Sequence, residues 1–150
     1  MIKIILPLTI FTSTLCLDIF TKKLANDKLT PHKKKTIYKR VKLLLVKNKG
    51  AALNALSHHR KLLLFINLII FGFLCVLFKK SYLEDKLLNL IALSFVISGG
   101  VGNNIERITK GEVTDFLYFE YKKLPVYNFA DFNVYIGLIL LLLLDFNDRL

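Results

Sequence analysis

Two aspartates in the stretch 99–131 are the residues of this sequence best suited to do chemistry. Asp115 and Asp131 lie between an apolar run that ends just before the stretch and another that begins just after it. The chain is therefore expected to leave a membrane and re-enter it on the same side. Two neighbouring carboxylates that share one proton can activate water, because the ionised one removes a proton while the protonated one hydrogen-bonds the scissile carbonyl. This pattern favours an aspartate-dependent hydrolase.

Other catalytic groups are poorly represented. The sequence contains no GxSxG and no HExxH motif. Cys16 and Cys75 lie in apolar runs without paired spacing, so we expect small buried apolar residues and neither a disulfide nor a metal site. His58 and His59 are adjacent and would point in different directions on a helix. Asp115 and Asp131 could themselves be ordinary solvated charges, an alternative that composition and spacing leave open.

Composition indicates a polytopic membrane protein with a single domain over residues 1–150. The chain is 54% hydrophobic and has a mean hydropathy of +0.49, while its charges are grouped in blocks. Four spans are predicted, at about 2–21, 62–78, 87–102 and 132–145. Both termini then lie on one side of the membrane, and the segments 22–61 and 103–131 share the other. A soluble chain whose helices are covered by a larger partner is the alternative.

The first apolar run could be a secretory signal peptide, and Cys16 even suggests a lipoprotein cleavage site. Leu15 occupies the position before this cysteine, where cleavage needs a small residue, so we expect a retained span. Asp18 and Lys22 are four residues apart and share a helical face. An acid within a span is costly, which makes Asp18 either a functional candidate or half of a structural ion pair.

The segment 22–61 carries most of the positive charge. The net charge is +11, and thirteen of the 22 Lys and Arg lie in this segment, where Asp27 is the only acid. Such a block could bind nucleic acid, but it is tethered between two spans and contains no recognition motif. We therefore expect no nucleic-acid binding and predict anionic lipid headgroups as its partner.

The polar segments also show strand and turn patterns. Loop is expected at 26–35 and a polar turn at 81–86. The mixture of β-branched residues, leucines and lysines at 36–46 predicts a strand at the membrane surface. Period-2 spacing with aromatic residues from Val113 to Tyr121 predicts a strand, and a returning strand at 126–129 would complete a hairpin that brings Asp131 toward Asp115. The predicted fold is mainly α, with four transmembrane helices and a small β-sheet.

Four short motifs, in order along the chain, resemble those of the lipoprotein signal peptidase family, also called signal peptidase II. The first two are Asp18 with Thr21-Lys22, and NKGAA at 48–52. The third is GGVGN at 99–103, followed by Arg107, Gly111, Val113 and Asp115-Phe116; the fourth is NFAD at 128–131. Each motif alone is weak, but together, on a four-span chain of this length, they are highly specific.

This resemblance implies a membrane aspartic endopeptidase that removes signal peptides from bacterial prolipoproteins whose cysteine already carries diacylglycerol. It implies no cofactor and no metal. By matching motif positions, Asp115 and Asp131 would be the catalytic dyad. The substrate-binding and supporting residues implied are Asn48, Gly50, Asn103, Arg107, Asn128, Asp18 and Lys22.

The family also implies a location and an orientation. The chain would be a multi-pass protein of the bacterial cytoplasmic (inner) membrane, with cytoplasmic termini and with the site and sheet near the extracytoplasmic surface. We expect a monomer. Positive-inside counting alone would instead place the lysines of 22–61 in the cytoplasm. We resolve the conflict by expecting this segment to rest on anionic headgroups outside, where it helps to recruit lipid-modified substrate.

Three features depart from the family pattern. Leu53 and Asn54 stand where Phe-Ser is usual, the connection between the two aspartates is a few residues short, and Glu106 replaces an aspartate. Glu106 keeps the charge and is expected to pair with Arg107.

Two other functions compete with the peptidase. A catalytically diverged, non-enzymatic paralogue that binds lipid or lipoprotein would keep the fold, but the intact aspartates argue against it. A small transporter could use an intramembrane acid such as Asp18. The acids here cluster at one surface, which argues against a conduit.

Overall fold

The computed structural model describes residues 1–50, 57–121 and 124–148, which form four long helices and a small antiparallel sheet. The helices are α1 (Ile2–Lys28), α2 (Arg60–Leu83), α3 (Leu87–Thr109) and α4 (Phe129–Asp148). The strands are β1 (Lys35–Tyr38), β2 (Val41–Asn48), β3 (Val113–Phe119) and β4 (Val126–Tyr127). All four helices are long and apolar enough to cross a membrane. The predicted class, mainly α with four membrane helices and a small sheet, is confirmed.

Every helix extends beyond its predicted apolar span. Hydropathy detects only the apolar part of a helix, whereas backbone hydrogen bonds continue into polar sequence at the membrane surface. Residues 26–28 are therefore the last turn of α1 and not loop, and the turn after α2 begins only past Leu83. The greater length of the helices also affects the site. Asn103 and Arg107 lie on α3 and Asp131 lies in the first turn of α4, so rigid helices hold them.

Helix α3 is the centre of the bundle. Half of its most apolar window is buried, against 17% or less for the other three helices. Two glycines let α3 and α4 approach closely. A Cβ on Gly99 would lie 2.3 Å from the carbonyl oxygen of Ala130, and one on Gly137 would lie 2.5 Å from that of Ala92. These contacts fix the start of α4 against the middle of α3.

The sheet has the order β1-β2-β3-β4, and all its neighbours are antiparallel. The single strand predicted over 36–46 is two strands, because Lys39 adopts a positive φ of 43° and turns the chain. The predicted hairpin is present in β3 and β4. Positions 53, 54, 122 and 123 lie outside the described residues.

One face of the sheet packs on the end of the helical bundle. Ala25 of α1, Leu45 of β2 and Phe116 of β3 form its buried core. Rings from β3, β4 and α4 extend this core with centroid separations of 5.7 to 6.5 Å, among them Phe119, Tyr127, Phe129 and Phe132. The sheet is thereby anchored to the first turn of α4. The prediction of buried cysteines is wrong, since Cys16 and Cys75 are exposed on the apolar outer faces of α1 and α2.

Candidate active site

The motif NFAD at 128–131 is a capping box that starts α4. The Oδ1 atom of Asn128 accepts the backbone N–H of Asp131 at 3.0 Å, and Oδ2 of Asp131 accepts the backbone N–H of Asn128 at 3.0 Å. This reciprocal pair satisfies backbone groups that a helix start leaves without partners. It also fixes the Asp131 carboxylate in the first turn of α4, where the helix dipole favours a negative charge.

The amide of Asn128 joins the two aspartates. Because its oxygen is held by the cap, its NH2 group must face the other way, and Nδ2 donates to Oδ1 of Asp115 at 2.7 Å and to Oδ1 of Asn103 at 3.1 Å. Asn103 in turn donates from Nδ2 to Oδ1 of Asp131 at 2.9 Å. The Asn128 side chain is completely buried. Both carboxylates are thus held in one hydrogen-bonded unit.

The pairing of β2 with β3 brings Asn48 to the same unit. Val46 pairs with Asp115 and Asn48 with Val113, so the side chain of Asn48 lies diagonally from Asp115 across the ladder. Its Nδ2 donates to Oδ2 of Asp115 at 3.1 Å, and its Oδ1 accepts the N–H of Gly50 at 3.0 Å. Each oxygen of Asp115 therefore accepts one amide N–H.

Asp18 and Lys22 support the unit from α1. Lys22 donates to Asp18 at 2.7 Å and to Oδ1 of Asn103 at 2.8 Å, while Asp18 accepts the backbone N–H of Ala130 at 2.9 Å. Both side chains are buried, with exposures of 0% and 2%. The ion pair thus sets the rotamer of Asn103 and caps α4. The pair therefore lies next to the residues that position the aspartates.

Arg107 borders the aspartates on the side of β2. Its Nη2 donates to the carbonyl oxygen of Gly50 at 3.1 Å. Among the described residues its Nε is buried and has no hydrogen-bond partner. The end of α3 that carries Arg107 is fixed by Arg60 of α2, which donates to the carbonyl oxygens of Arg107 and Ile108. An unpaired buried N–H beside two carboxylates is a group that a ligand could satisfy.

Asp115 and Asp131 both line a cleft of about 90 Å³. The other residues around this cleft include Asn48, Asn103, Arg107, Pro125, Val126, Tyr127 and Tyr135. A neighbouring cavity of about 230 Å³ between α2, α3 and α4 shares Arg107, Asp131 and Tyr135 with this cleft. All nine residues predicted for the site lie in this one network. Tyr135 was missed, although its position four residues after Asp131 on a helix would have placed the two on one face.

Burial dominates the electrostatics of Asp115. The pKa of this carboxyl is raised from 3.8 to about 6, chiefly by loss of solvent and next by the nearby charge of Asp131, while the bonds from Asn48 and Asn128 act in the opposite direction. Asp115 therefore holds a proton more readily than an ordinary aspartate. The arrangement suits a pair of acids in which Asp115 carries the shared proton.

The predicted pairing of Glu106 with Arg107 is wrong. Adjacent residues on a helix point in different directions. Glu106 is instead bonded to Lys110 at 2.8 Å, and it accepts the backbone N–H of Thr114 at 2.7 Å and the Thr114 hydroxyl at 2.9 Å. This carboxylate fixes the beginning of β3 one residue before Asp115. Sequence reasoning did not identify the role of Thr114, because no spacing rule links a helix to the strand that follows it.

The described residues contain no group of three or more His, Cys, Asp or Glu side chains that could hold a metal ion.

Comparison with known families agrees with the motif resemblance. The sequence model of the family described as signal peptidase (SPase) II matches residues 10–147. The chain belongs to this family. It is 34% identical to the lipoprotein signal peptidase of Wigglesworthia glossinidia brevipalpis over 137 residues, which cover 89% of each protein. It is 33% identical to that of Caldicellulosiruptor bescii, over 88% of this chain and 85% of the relative.

Solved structures agree with the fold of this signal peptidase II family member. A bacterial membrane enzyme structure at 2.3 Å resolution superposes with a TM-score of 0.86 and 25% identity, covering 95% of this chain and 88% of that one. A second, at 1.9 Å resolution, gives a TM-score of 0.80 over 91% and 90%. The family and the four apolar helices make this chain a multi-pass bacterial membrane peptidase that cleaves signal peptides.

The role of Glu106 in holding β3 predicts a loss of stability on substitution. Glu106→Gln removes the charge that accepts from Lys110 and Thr114, and we expect a loss of about 1–3 kcal/mol in unfolding free energy. Thermal unfolding in detergent measures this loss. Glu120→Gln is the matched control, since Glu120 is exposed and pairs with Lys42 on the surface; it should leave the melting temperature unchanged. Equal effects of the two substitutions would contradict the proposed support of β3.

Proposed function

We propose that this chain is an aspartic endopeptidase in which Asp115 and Asp131 cleave the peptide bond before a diacylglyceryl-modified cysteine of a prolipoprotein. The observation that supports this proposal is the single network in which Asn128 holds both carboxylates at one cleft. Membership of the lipoprotein signal peptidase family supports the substrate class. The non-enzymatic alternative is not favoured, because the curated relatives are named as peptidases.

Asp131 acts as the base in this mechanism. Its carboxylate accepts N–H groups from Asn103 and from the backbone of Asn128, and it lies at the positive end of α4. These contacts fix the carboxylate in place. Asp131 therefore removes a proton from the attacking water, and its own geometry changes little because the cap holds it.

Asp115 acts as the acid. Its raised pKa keeps a proton on the carboxyl in the buried cleft, and this proton hydrogen-bonds the scissile carbonyl oxygen as negative charge develops there. After attack, the proton passes to the leaving nitrogen while Asp131 holds the proton taken from water. The pair titrates as one unit, with two apparent pKa values that belong to both residues.

The Nε–H of Arg107, which has no hydrogen-bond partner among the described residues, is the group proposed to bind the substrate backbone. A buried donor without a partner is costly, and a substrate carbonyl would satisfy it. Arg107 also borders both the cleft and the neighbouring cavity, so a peptide crossing from one to the other passes its guanidinium. Gly50, whose carbonyl accepts from Arg107, holds the opposite edge of this path.

The orientation of the chain is proposed on the same basis. Four spans put both termini at the end of the bundle away from the aspartates, and the proposed orientation has that end in the cytoplasm, as the motif resemblance implies. The basic segment 22–61 then rests on anionic headgroups outside. Single cysteines placed at 28–40 should react with a membrane-impermeant maleimide added to intact spheroplasts. Reaction only after lysis would reverse the assigned orientation.

We also propose that the enzyme acts as a monomer. All nine predicted site residues come from one chain and are joined by bonds within it, so the site is built without a second copy.

Loss of either aspartate should abolish cleavage. With purified enzyme and a diacylglyceryl-modified prolipoprotein, Asp115→Asn and Asp131→Asn should each lower the rate on the order of 10⁴-fold, because the two residues act as a unit. Asp27→Asn removes an exposed carboxylate at the same end of α1 and should cleave like the unsubstituted enzyme. Cleavage by both dyad variants at the normal rate would refute the assignment of roles.

The raised pKa of Asp115 predicts the alkaline limit of activity. As pH rises through about 6, the free enzyme loses the proton that Asp115 must donate, so kcat/KM should fall above that pH. In Asn48→Ala the carboxylate loses a hydrogen bond that lowers its pKa, and the limit should therefore move to higher pH. Rate profiles between pH 4 and pH 9 measure both limits, and an unshifted profile in Asn48→Ala would exclude Asp115 as the titrating group.

A further inference from the structure

A large cavity among the described residues has no part in the site. It is a groove of about 510 Å³ between α1 and α2, at the end of the bundle opposite the aspartates. Both helices pack against α3, which forms the floor of the groove through Ser94 and Ile97. The walls are apolar side chains that include Pro7, Phe11 and Phe78. The hydroxyl of Ser94 is already bonded to the carbonyl of Leu90, so the floor offers little polarity.

The groove lies between helices that are themselves suited to lipid. The outer faces of α1 and α2 expose large apolar residues such as Ile5, Phe73 and Val76. A groove of this size within such a surface is open to the hydrocarbon of the membrane, and a void there would forfeit dispersion contacts. An acyl chain is the ligand whose shape and polarity fit it.

Two lysines line one end of the groove and give it a positive charge. Lys3 begins α1, and Lys79 lies near the end of α2. Lys3 is bonded to the exposed carboxylate of Asp85 and lies 5.0 Å from the centre of the Tyr82 ring.

Among the described residues, the lining of the groove includes Lys3 and Lys79 and no acidic side chain. Lys80 and Lys86 lie nearby, at 3.8 and 3.5 Å from Glu84. Basic pockets between transmembrane helices are suited to anionic headgroups.

We infer that this groove binds one anionic phospholipid, with an acyl chain along Phe11 and Ile97 and its phosphate between Lys3 and Lys79. The substrate's own signal helix is a poorer occupant, because signal peptides carry a positively charged n-region that these lysines would repel. A second copy of the chain would bring the same lysines into contact with each other, which is also unfavourable.

Tryptophan fluorescence tests this site directly, because the sequence contains no tryptophan. Phe11→Trp places the single fluorophore in the groove. Phe73→Trp is the matched control, because Phe73 lies on α2, is 61% exposed and does not line the groove. Each variant is reconstituted in vesicles of phosphatidylglycerol and phosphatidylcholine, with bromine on the acyl chains of one lipid or the other. Retained cleavage of prolipoprotein shows that each variant is folded.

Brominated phosphatidylglycerol should quench Phe11→Trp several-fold more effectively than brominated phosphatidylcholine, whereas the two lipids should quench Phe73→Trp equally. Adding Lys79→Gln to Phe11→Trp should reduce the preference about fivefold, the factor expected for one cation at an anionic surface. Equal quenching of Phe11→Trp by the two brominated lipids would overturn the inference, and so would an absence of quenching at Phe11→Trp. Phe78→Trp, which also lines the groove, replaces Phe11→Trp if that variant does not fold.

Discussion

The hydrogen bonds exchanged by Asn128 and Asp131 at the start of α4 determine the orientation of the surrounding polar groups. Once the oxygen of Asn128 caps the helix, its NH2 group can only face Asp115 and Asn103. Once the oxygen of Asn103 accepts from Asn128 and Lys22, its NH2 group faces Asp131. The site is therefore preorganised by amide groups whose directions are set by helix geometry, so little reorganisation is needed during the reaction.

The buried pair of Asp18 and Lys22 shows how this arrangement is maintained in an apolar bundle. Two charges removed from water are costly, and the cost is offset only when each finds several partners. Asp18 accepts from Lys22 and from the backbone of Ala130, while Lys22 donates to Asp18 and Asn103. Removal of either side chain would leave the charge of the other without its counter-charge next to the aspartates. The pair is thus both a structural anchor and part of the electrostatic environment of the site.

The sequence predicted the number of helices, the sheet and the residues that meet at the site, because apolar runs, alternation and motif order are local patterns. It did not predict the exact helix ends, since polar residues such as Asn103 and Asp131 continue helices past the apolar spans. Hydrogen-bond partners were the least predictable feature. Glu106 bonds Thr114 and not its neighbour Arg107, because that choice depends on how β3 returns toward α3. The N-x-x-D pattern of the capping box was visible but was recognised only as a family motif.

The contacts at Gly99 and Gly137 limit which substitutions the protein can tolerate. In both cases the nearest obstacle to a side chain is a backbone carbonyl of the facing helix, at Ala130 and at Ala92. A smaller side chain elsewhere cannot make room, because every residue type carries that same oxygen. Genetic suppressors of a bulky residue at either position would have to displace a whole helix, and displacing α4 would carry Asp131 with it. A second substitution elsewhere in the chain therefore cannot readily compensate for a side chain at either position.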